Sequence, residues 1–543
     1  VAGDGGGEAP LNLVSTNMVS TNMDEVSEQA ADSADRPSTE RFRLRRFVDG
    51  LVASGEAELR DEPVALADIS AGLHGNPNAV LFRKAGPEAA EVVGNVMGSR
   101  ARLAEAFGVP GRELMAEVLR RLEAPQPVIE IPSQDAPVQA EVLIGDDADL
   151  TRLPVPFQHR RDGGPYISAT LDYVRDEATG LTNVGYRRLM LRGRRETGID
   201  LIAPSDLRAI YLAASSKGEN LPVSFVLGAH PADHVAATMR LPGDETELVA
   251  RLRGAPLPVV RCRTNDLLVP ADAEIVLEGY LDAAGHVEPE GPYGEFLGYY
   301  GVVKQNPVFH LTAITRREDA LFQTSTIGGK YLGCTDSAQL IALRTETSAW
   351  RSLANSIPEP VAVYATTASG GSFNLRVAIR QRSMGDARNA IAAVFGVLAN
   401  VKNVFVVDDD IDVFSDEQIE WCMATRFQPD RDLMVEGGFR TLPLDPSLDG
   451  ARTGSKAGFD LTLPMSETRP LSYTLPAPPR LVGPRFDTVR AALEDGPKIF
   501  EQLMTAIASR DGRDVVLALD ALRDEGVLTR REEGEYALDE AGA

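Results

Sequence analysis

Pro289-Glu290-Gly291-Pro292-Tyr293-Gly294-Glu295-Phe296-Leu297-Gly298-Tyr299-Tyr300 holds two carboxylates five residues apart on a segment broken by Pro and Gly. Pro removes a backbone donor and Gly weakens a regular element, so neither a helix nor a buried strand accounts for the pattern. It reads as a shaped loop that brings Glu290 and Glu295 to one place. Two carboxylates in a shared, partly dry site push their pKa values apart, which suits general acid/base work. In isolation such a loop is more simply a solvated turn with two surface acids; the residues around it argue for the first reading.

Strand signals dominate from about residue 140 to 317. Residues 166–174 and 183–191 read as a hairpin around Gly180, with further strands at 223–227, 259–262, 274–280 and 308–315. Many strands with few helices point to a barrel or curved sheet. The flanks have an α/β rhythm. Before the strands come helical spacing over 42–51, a short apolar strand at 79–82, a second apolar run at 92–97, and a helix over 99–107 ending at Gly108. After them, helices at 337–353, 387–398 and 418–425 alternate with strands at 361–364, 374–379 and 403–407, a βαβ organisation. Beyond Pro478, helices at 486–493, 499–509 and 514–525 precede a small hairpin, as in a winged helix.

The 543 residues carry a net charge of −25, which argues against a nucleic-acid surface and makes packing or oligomerisation the better reading of that ending. No apolar run reaches the length of a membrane span. Cys262, Cys334 and Cys422 lie too far apart for a disulfide framework or a CxxC metal site, so a reducing cytoplasm is expected. Residues 1–40, with their Gly-rich and acidic stretches and the repeated VSTNM, read as a disordered tail and not as a signal peptide.

Several motifs fail on inspection. Asp408, Asp410 and Asp412 imitate a calcium loop, but its sixth and twelfth positions are Val413 and Ile419, so the acids read as structural. His230 and His234 have helical spacing without the HExxH glutamate and with Pro231 between them, so they read as non-metal. Three segments make sense together: 183–188 (NVGYRR), Glu245 within 243–247, and the Glu290/Glu295 loop. Asn and Glu oxygens are hard ligands for magnesium, manganese or potassium. Arg188 suits a carboxylate held in a bidentate fork, and beside two glutamates it would lower the pKa of one and leave the other protonated.

These segments resemble the UbiD family of prenylated-FMN-dependent decarboxylases. GLTNVGYRRLM, RCRTNDLLVPADAEIVLEGY, PEGPYGEFLGYYG, VVDDDIDV and GSKAGFD occur in family order, and the likeness covers roughly residues 41–476. The resemblance implies an N-terminal α/β domain (41–135), a central split β-barrel of flavin-reductase type (136–320) and a C-terminal α/β domain that oligomerises (321–478). The helical extension (479–543) departs from the family pattern. It further implies reversible decarboxylation of an α,β-unsaturated or (hetero)aromatic acid through a covalent adduct with prenylated FMN. Manganese or magnesium and potassium would accompany the flavin, a flavin prenyltransferase would supply it, and the chain would be a homodimer or larger homo-oligomer.

Carried over by motif, Arg188, Glu290 and Glu295 match the family's catalytic set, and Asn183 and Glu245 its metal ligands, with Glu247 the runner-up. Gly185, Tyr186, Arg187, Ile327 and Lys456 fall at cofactor-binding positions. The family's third metal ligand is a His; here Asp206 stands in its place, with Ser205 the alternative. That departure keeps two other readings open: a non-catalytic partner subunit or regulator acting through the extension, and a flavin-independent metal-dependent lyase.

Overall fold

The computed structural model describes residues 37–465 and 471–539; most of the expected tail, residues 1–36, lies outside them. Among the described residues, six antiparallel strands close the central barrel: β1 (Tyr166–Arg175), β2 (Thr182–Leu191), β3 (Glu196–Ile199), β4 (Leu221–Leu227), β5 (Ile275–Leu281) and β6 (Val308–Arg316). The order runs β5-β4-β1-β2-β3-β6, and β6 returns to β5. Closure removes the free strand edges that would otherwise template aggregation. Gly180, in the left-handed region at φ 74°, lies in the β1–β2 connection as expected. Leu171, Phe225, Leu277 and Phe309 are fully buried in the strands that the sequence pattern marks.

The central region differs from its sequence reading in four ways. It holds three helices, α1 (Asp206–Ser215), α2 (Pro231–Thr238) and α3 (Glu245–Arg253), between barrel strands. Pro231 does not interrupt the His230–His234 stretch: it occupies the first turn of α2, where a missing N–H costs nothing, and His230 caps the helix by accepting from Ala232 N–H. The strand expected at 259–262 lies outside the barrel, as Leu257–Arg261 in a separate sheet with Val128–Glu130 and Leu268–Pro270. The loop at 289–300 contains short ladders: Glu288–Glu290 pairs with Lys304–Asn306, and Tyr293–Gly294 with Tyr300–Gly301.

The N-terminal sheet runs Ala57–Arg60, Ala79–Ala85, Ala90–Gly94, Phe322–Thr324, so its last strand comes from beyond the barrel. The expected helix over 99–107 is Arg100–Phe107, capped by Ser99 Oγ and ended by left-handed Gly108. The C-terminal sheet runs Pro360–Ala365, Asn374–Ile379, Asn403–Asp408, Thr453–Asp460, Leu433–Arg440. The helix α4 (Asp336–Ala354) belongs to both flanking cores, through Leu340 and Leu343 on one side and Ala349 and Leu353 on the other. Asp408 and Asp410 are bridged by Arg426, and Asp412 is paired with Arg112, which gives this acidic run a structural role.

Two compact units divide at Thr462. Among the described residues the second contains three short α-helices and the hairpin Leu528–Arg530/Tyr536–Leu538 around Val489, Leu503, Val515 and Leu519. No helix among the described residues is long and apolar enough to cross a membrane.

At the end of α3 the fully buried Arg253 bonds Asp233 of α2 at 2.7 Å and Asp272 at 2.6 Å. Removing the guanidinium strands two buried carboxylates, so Arg253→Met is expected to cost about 3–5 kcal/mol. Chemical denaturation, with the midpoint falling and the slope unchanged, is the check.

Candidate active site

Successive residues of a strand point to opposite faces. On β2, Arg187 turns to Asp172 of β1, 2.9 Å away, while Arg188 turns to the acids of the 289–300 loop. Arg188 Nη2 donates to Glu295 Oε1 at 3.0 Å and to Asp200 Oδ2 at 3.2 Å. Its Nε lies 3.7 Å from Glu290 Oε1, too far for a hydrogen bond, and is a buried donor without a partner. The guanidinium also packs over the Tyr293 ring at 4.6 Å.

Both glutamates are buried, with residue exposures of 1% for Glu290 and 6% for Glu295, which excludes the solvated-turn reading. Tyr166 donates to Glu290 Oε1 at 2.9 Å. The ladder partner of Glu290 is Lys304, whose ammonium reaches Asp200 at 2.7 Å. The loop is held from outside by residues 159–164: Asp162 accepts from Gly294 N–H at 3.0 Å, and Gly163 N–H donates to Pro292 O at 2.8 Å. A Cβ on Gly163 would stand 2.3 Å from Gly291 O, so only glycine permits this approach.

Burial and charge act differently on each group. Burial opposes the Arg188 charge, but Glu295, Glu290 and Asp200 outweigh it and hold the pKa above its usual value. Burial lifts Glu290 above the ordinary carboxylate range against the pull of Arg188. Asp200 also feels burial, yet Arg188 and Lys304 keep it below the usual range. An arginine that stays charged therefore stands among acids of unequal strength, an arrangement suited to holding a carboxylate and moving a proton.

Arg188, Asp200, Glu295 and Lys304 line a cavity of about 910 Å³, together with Tyr186, Ile327, residues 440–444 and Pro446. The volume is in the range of cofactor sites. The orphaned Arg188 Nε, the cationic side chains and the apolar Ile327 and Ile341 fit a planar anionic cofactor such as a flavin with its substrate.

At the far end of β2, Val184 N–H donates to Glu245 Oε2 at 2.5 Å, and Asn183 Nδ2 reaches Asp172 at 3.2 Å. Glu245 is pushed up to about 7 by burial; Val184 N–H pulls it down, and Asp172, Asp206 and Asp244 push it up further. Oxygen donors with excess negative charge are the kind that suit a divalent cation, but among the described residues no group of three or more His, Cys, Asp or Glu is arranged to hold a metal ion. Asp206 is exposed at the start of α1, and Ser205 caps that helix through Arg208 N–H. Glu247 points elsewhere, paired with Arg251. Lys456 is not among the residues of the large cavity; it donates to Phe395 O at 2.6 Å in a smaller one.

Asp172, Asp200, Lys304, Tyr166 and Asp162 were absent from the sequence reading. Asp172 had a signal, because it faces Gly185 across the β1–β2 hairpin and a Cβ there would meet its Oδ1 at 2.6 Å. The others are brought in by long-range pairing.

Three family models match consecutive stretches of the chain. They are the N-terminal domain (53–122), Rift-related domain (130–331) and C-terminal domain (338–461) of 3-octaprenyl-4-hydroxybenzoate carboxy-lyase. A protein of Methanosarcina mazei named anhydromevalonate phosphate decarboxylase is 32% identical over 420 residues, covering 77% of this chain and 95% of its own. The UbiD-class enzyme HmfF of Pelotomaculum thermopropionicum, solved with FMN, is similar at a TM-score of 0.76 and 31% identity, covering 80% of this chain and 97% of its own. Its evolved dimeric form with prFMN aligns at a TM-score of 0.72 and 31% identity, over 79% of this chain and 96% of its own.

Replacing Tyr166 by Phe removes a donor to the buried Glu290 carboxylate, and hydrogen bonds to charged groups contribute about 1.5–3 kcal/mol. The Tyr166→Phe protein is expected to hold Glu290 protonated to higher pH than the wild type. Infrared difference titration of the carboxyl band checks this, and an unmoved band refutes it.

Proposed function

This chain belongs to the UbiD family of carboxy-lyases, and on that premise we propose that it is a prenylated-FMN-dependent decarboxylase of an α,β-unsaturated or (hetero)aromatic acid. The observation that carries the reading is Arg188 bonded to Glu295 beside Glu290 at the wall of a cofactor-sized cavity. The names of the M. mazei relative and of the HmfF structures support the same chemistry.

When bound, the prenylated flavin supplies the electron sink for the pair released as CO₂ departs. Arg188 orients the substrate carboxylate through its guanidinium. Glu295 donates a proton to the carbon that loses CO₂. Glu290, held by Tyr166 and next to Arg188, tunes both partners. Gly185, Tyr186, Arg187, Ser205 and Ile327 contribute to the flavin site, and Lys456 stands in the domain that faces it. Asn183, Asp206 and Glu245 would hold manganese or magnesium, and potassium would accompany the flavin. Asp206 replaces an imidazole with a carboxylate, so the donors form an all-oxygen set. The chain works as a homodimer or larger homo-oligomer and receives its flavin from a prenyltransferase.

Co-expression with a flavin prenyltransferase, followed by absorbance and mass analysis, tests the cofactor. A protein free of both prenylated and plain FMN would leave the partner or regulator reading standing. In loaded protein, Glu295→Gln is expected to lower kcat by about 10²–10⁴-fold with flavin content unchanged. Full activity in that variant removes Glu295 as the acid. Asp206→Ala is expected to weaken manganese binding by at least about tenfold, measured by calorimetry in chelator-stripped protein; equal affinity removes Asp206 from the ligand set.

A further inference from the structure

The second unit runs from the helix Val489–Glu494, through a bridge between Lys498 and Tyr536, to the helices Phe500–Ala506 and α5 (Arg513–Asp524) and the hairpin Leu528–Arg530/Tyr536–Leu538. This is the order of a winged helix, in which α5 holds the place of a recognition helix. Val515, Leu519 and Leu522 of α5 face the core of the unit. With about 100° of rotation per residue, the opposite face carries Arg513, Leu517, Asp520 and Asp524, flanked by Val516 and Ala521. All six are exposed, Val516 to 55% and Leu517 to 70%. The face does not suit nucleic acid, because Asp520 and Asp524 would meet phosphates and two large aliphatic side chains lie along it.

The charges of this face run against the helix dipole. Acids are favoured at the N-terminal end and bases at the C-terminal end, and Asp514 and Arg523 meet that rule on the flanks of α5. The outward stripe reverses it, with Arg513 at the first position and Asp524 at the last. A second α5 laid antiparallel across a twofold axis removes the conflict. With the axis between residues 518 and 519, Arg513 faces Asp524 of the second copy, Val516 faces Ala521, and Leu517 lies beside Asp520; each contact occurs twice. Each acid then stands at a helix N-terminus and each arginine at a C-terminus. The present neighbours do not oppose this. Arg513–Asp511 and Asp520–Arg523 are exposed pairs of little strength, and the Asp524 carboxylate has no ion pair among the described residues.

We propose that α5 is a self-pairing surface: the second units of two copies of this chain dock through antiparallel α5 helices, with Val516 and Leu517 in the seam and an Arg513–Asp524 pair at each end. A helix of 12 residues is about 18 Å long, and two of them bury far less than the roughly 1,200–2,000 Å² of a stable interface. The contact therefore acts between chains already held together, where tethering gives an effective concentration of about millimolar. In that respect it rests on the homo-oligomer reading above.

The test uses the full-length chain with Ala521→Cys, treated with a short bismaleimide and read as covalent dimer on a denaturing gel, with the unsubstituted chain as control. Covalent dimer is expected only with the added cysteine. Adding Leu517→Glu, Arg513→Glu or Asp524→Arg is expected to lower its yield at least fivefold. Arg513→Glu together with Asp524→Arg is expected to restore the yield to within twofold, which a variant that merely unfolds the unit cannot do. No covalent dimer, a yield unmoved by Leu517→Glu, or no recovery in the double charge reversal would each overturn the proposal. Sedimentation velocity separates this from the homo-oligomer reading. A chain that sediments as a dimer without cross-linking at residue 521 defeats the α5 surface and leaves that reading standing. A Leu517→Glu chain that both loses the cross-link and sediments as a monomer supports the α5 surface and defeats oligomerisation through the C-terminal α/β domain.

Discussion

A buried guanidinium surrounded by carboxylates is the constraint on which the site depends. Arg188, on β2, contacts Glu295 and Asp200 directly and stands beside Glu290. Taking a charge out of water costs several kcal/mol, so such a cluster persists only when its geometry is held from outside. The restraints come from three directions: β2 supplies Arg188, the Glu288–Glu290 ladder sets Glu290 against Lys304, and Asp162 with Gly163 grips the backbone between the two glutamates. Closing the barrel is what brings the three together.

The same economy of charge explains the rest of unit one. Several buried ions are paired: Arg253 with Asp233 and Asp272, Asp172 with Arg187, and Glu346 with Arg100. Against that background, the places with unbalanced charge carry meaning. Around Glu245 the excess is negative. Around Arg440 and Lys456 the excess is positive. The large cavity is lined by Arg188, Asp200, Glu295 and Lys304.

Asp206 is the residue at which local chemistry and family pattern diverge. At the first position of α1, an acid is favoured by the helix dipole, and Ser205 is a good cap, so the local sequence starts a helix well. A carboxylate there also adds to the negative field on Glu245. Local helix-start chemistry and cation chemistry thus point to the same residue type.

Much of this protein was legible in its sequence. Apolar alternation marked β1, β2, β4, β5 and β6, and Ser99 and Gly108 bounded a helix through capping chemistry that acts over a few residues. Paired acids on a Pro/Gly-broken segment marked the site, because few other structures tolerate them. Tertiary structure alone decided what depends on long-range pairing. The short β3 carries too little pattern to be read, yet closes the barrel between β2 and β6. Phe322–Thr324 crosses into the N-terminal sheet, and Leu257–Arg261 leaves the barrel. Pro231, a breaker inside a helix, begins one because of where the chain turns. Asp200 and Lys304, 104 residues apart, meet beside Arg188, and Lys456 lines a separate cavity. Residue type and spacing determine which groups are available; which charges share a dry volume is set by strand register, and register is a property of the closed barrel and its neighbouring sheets.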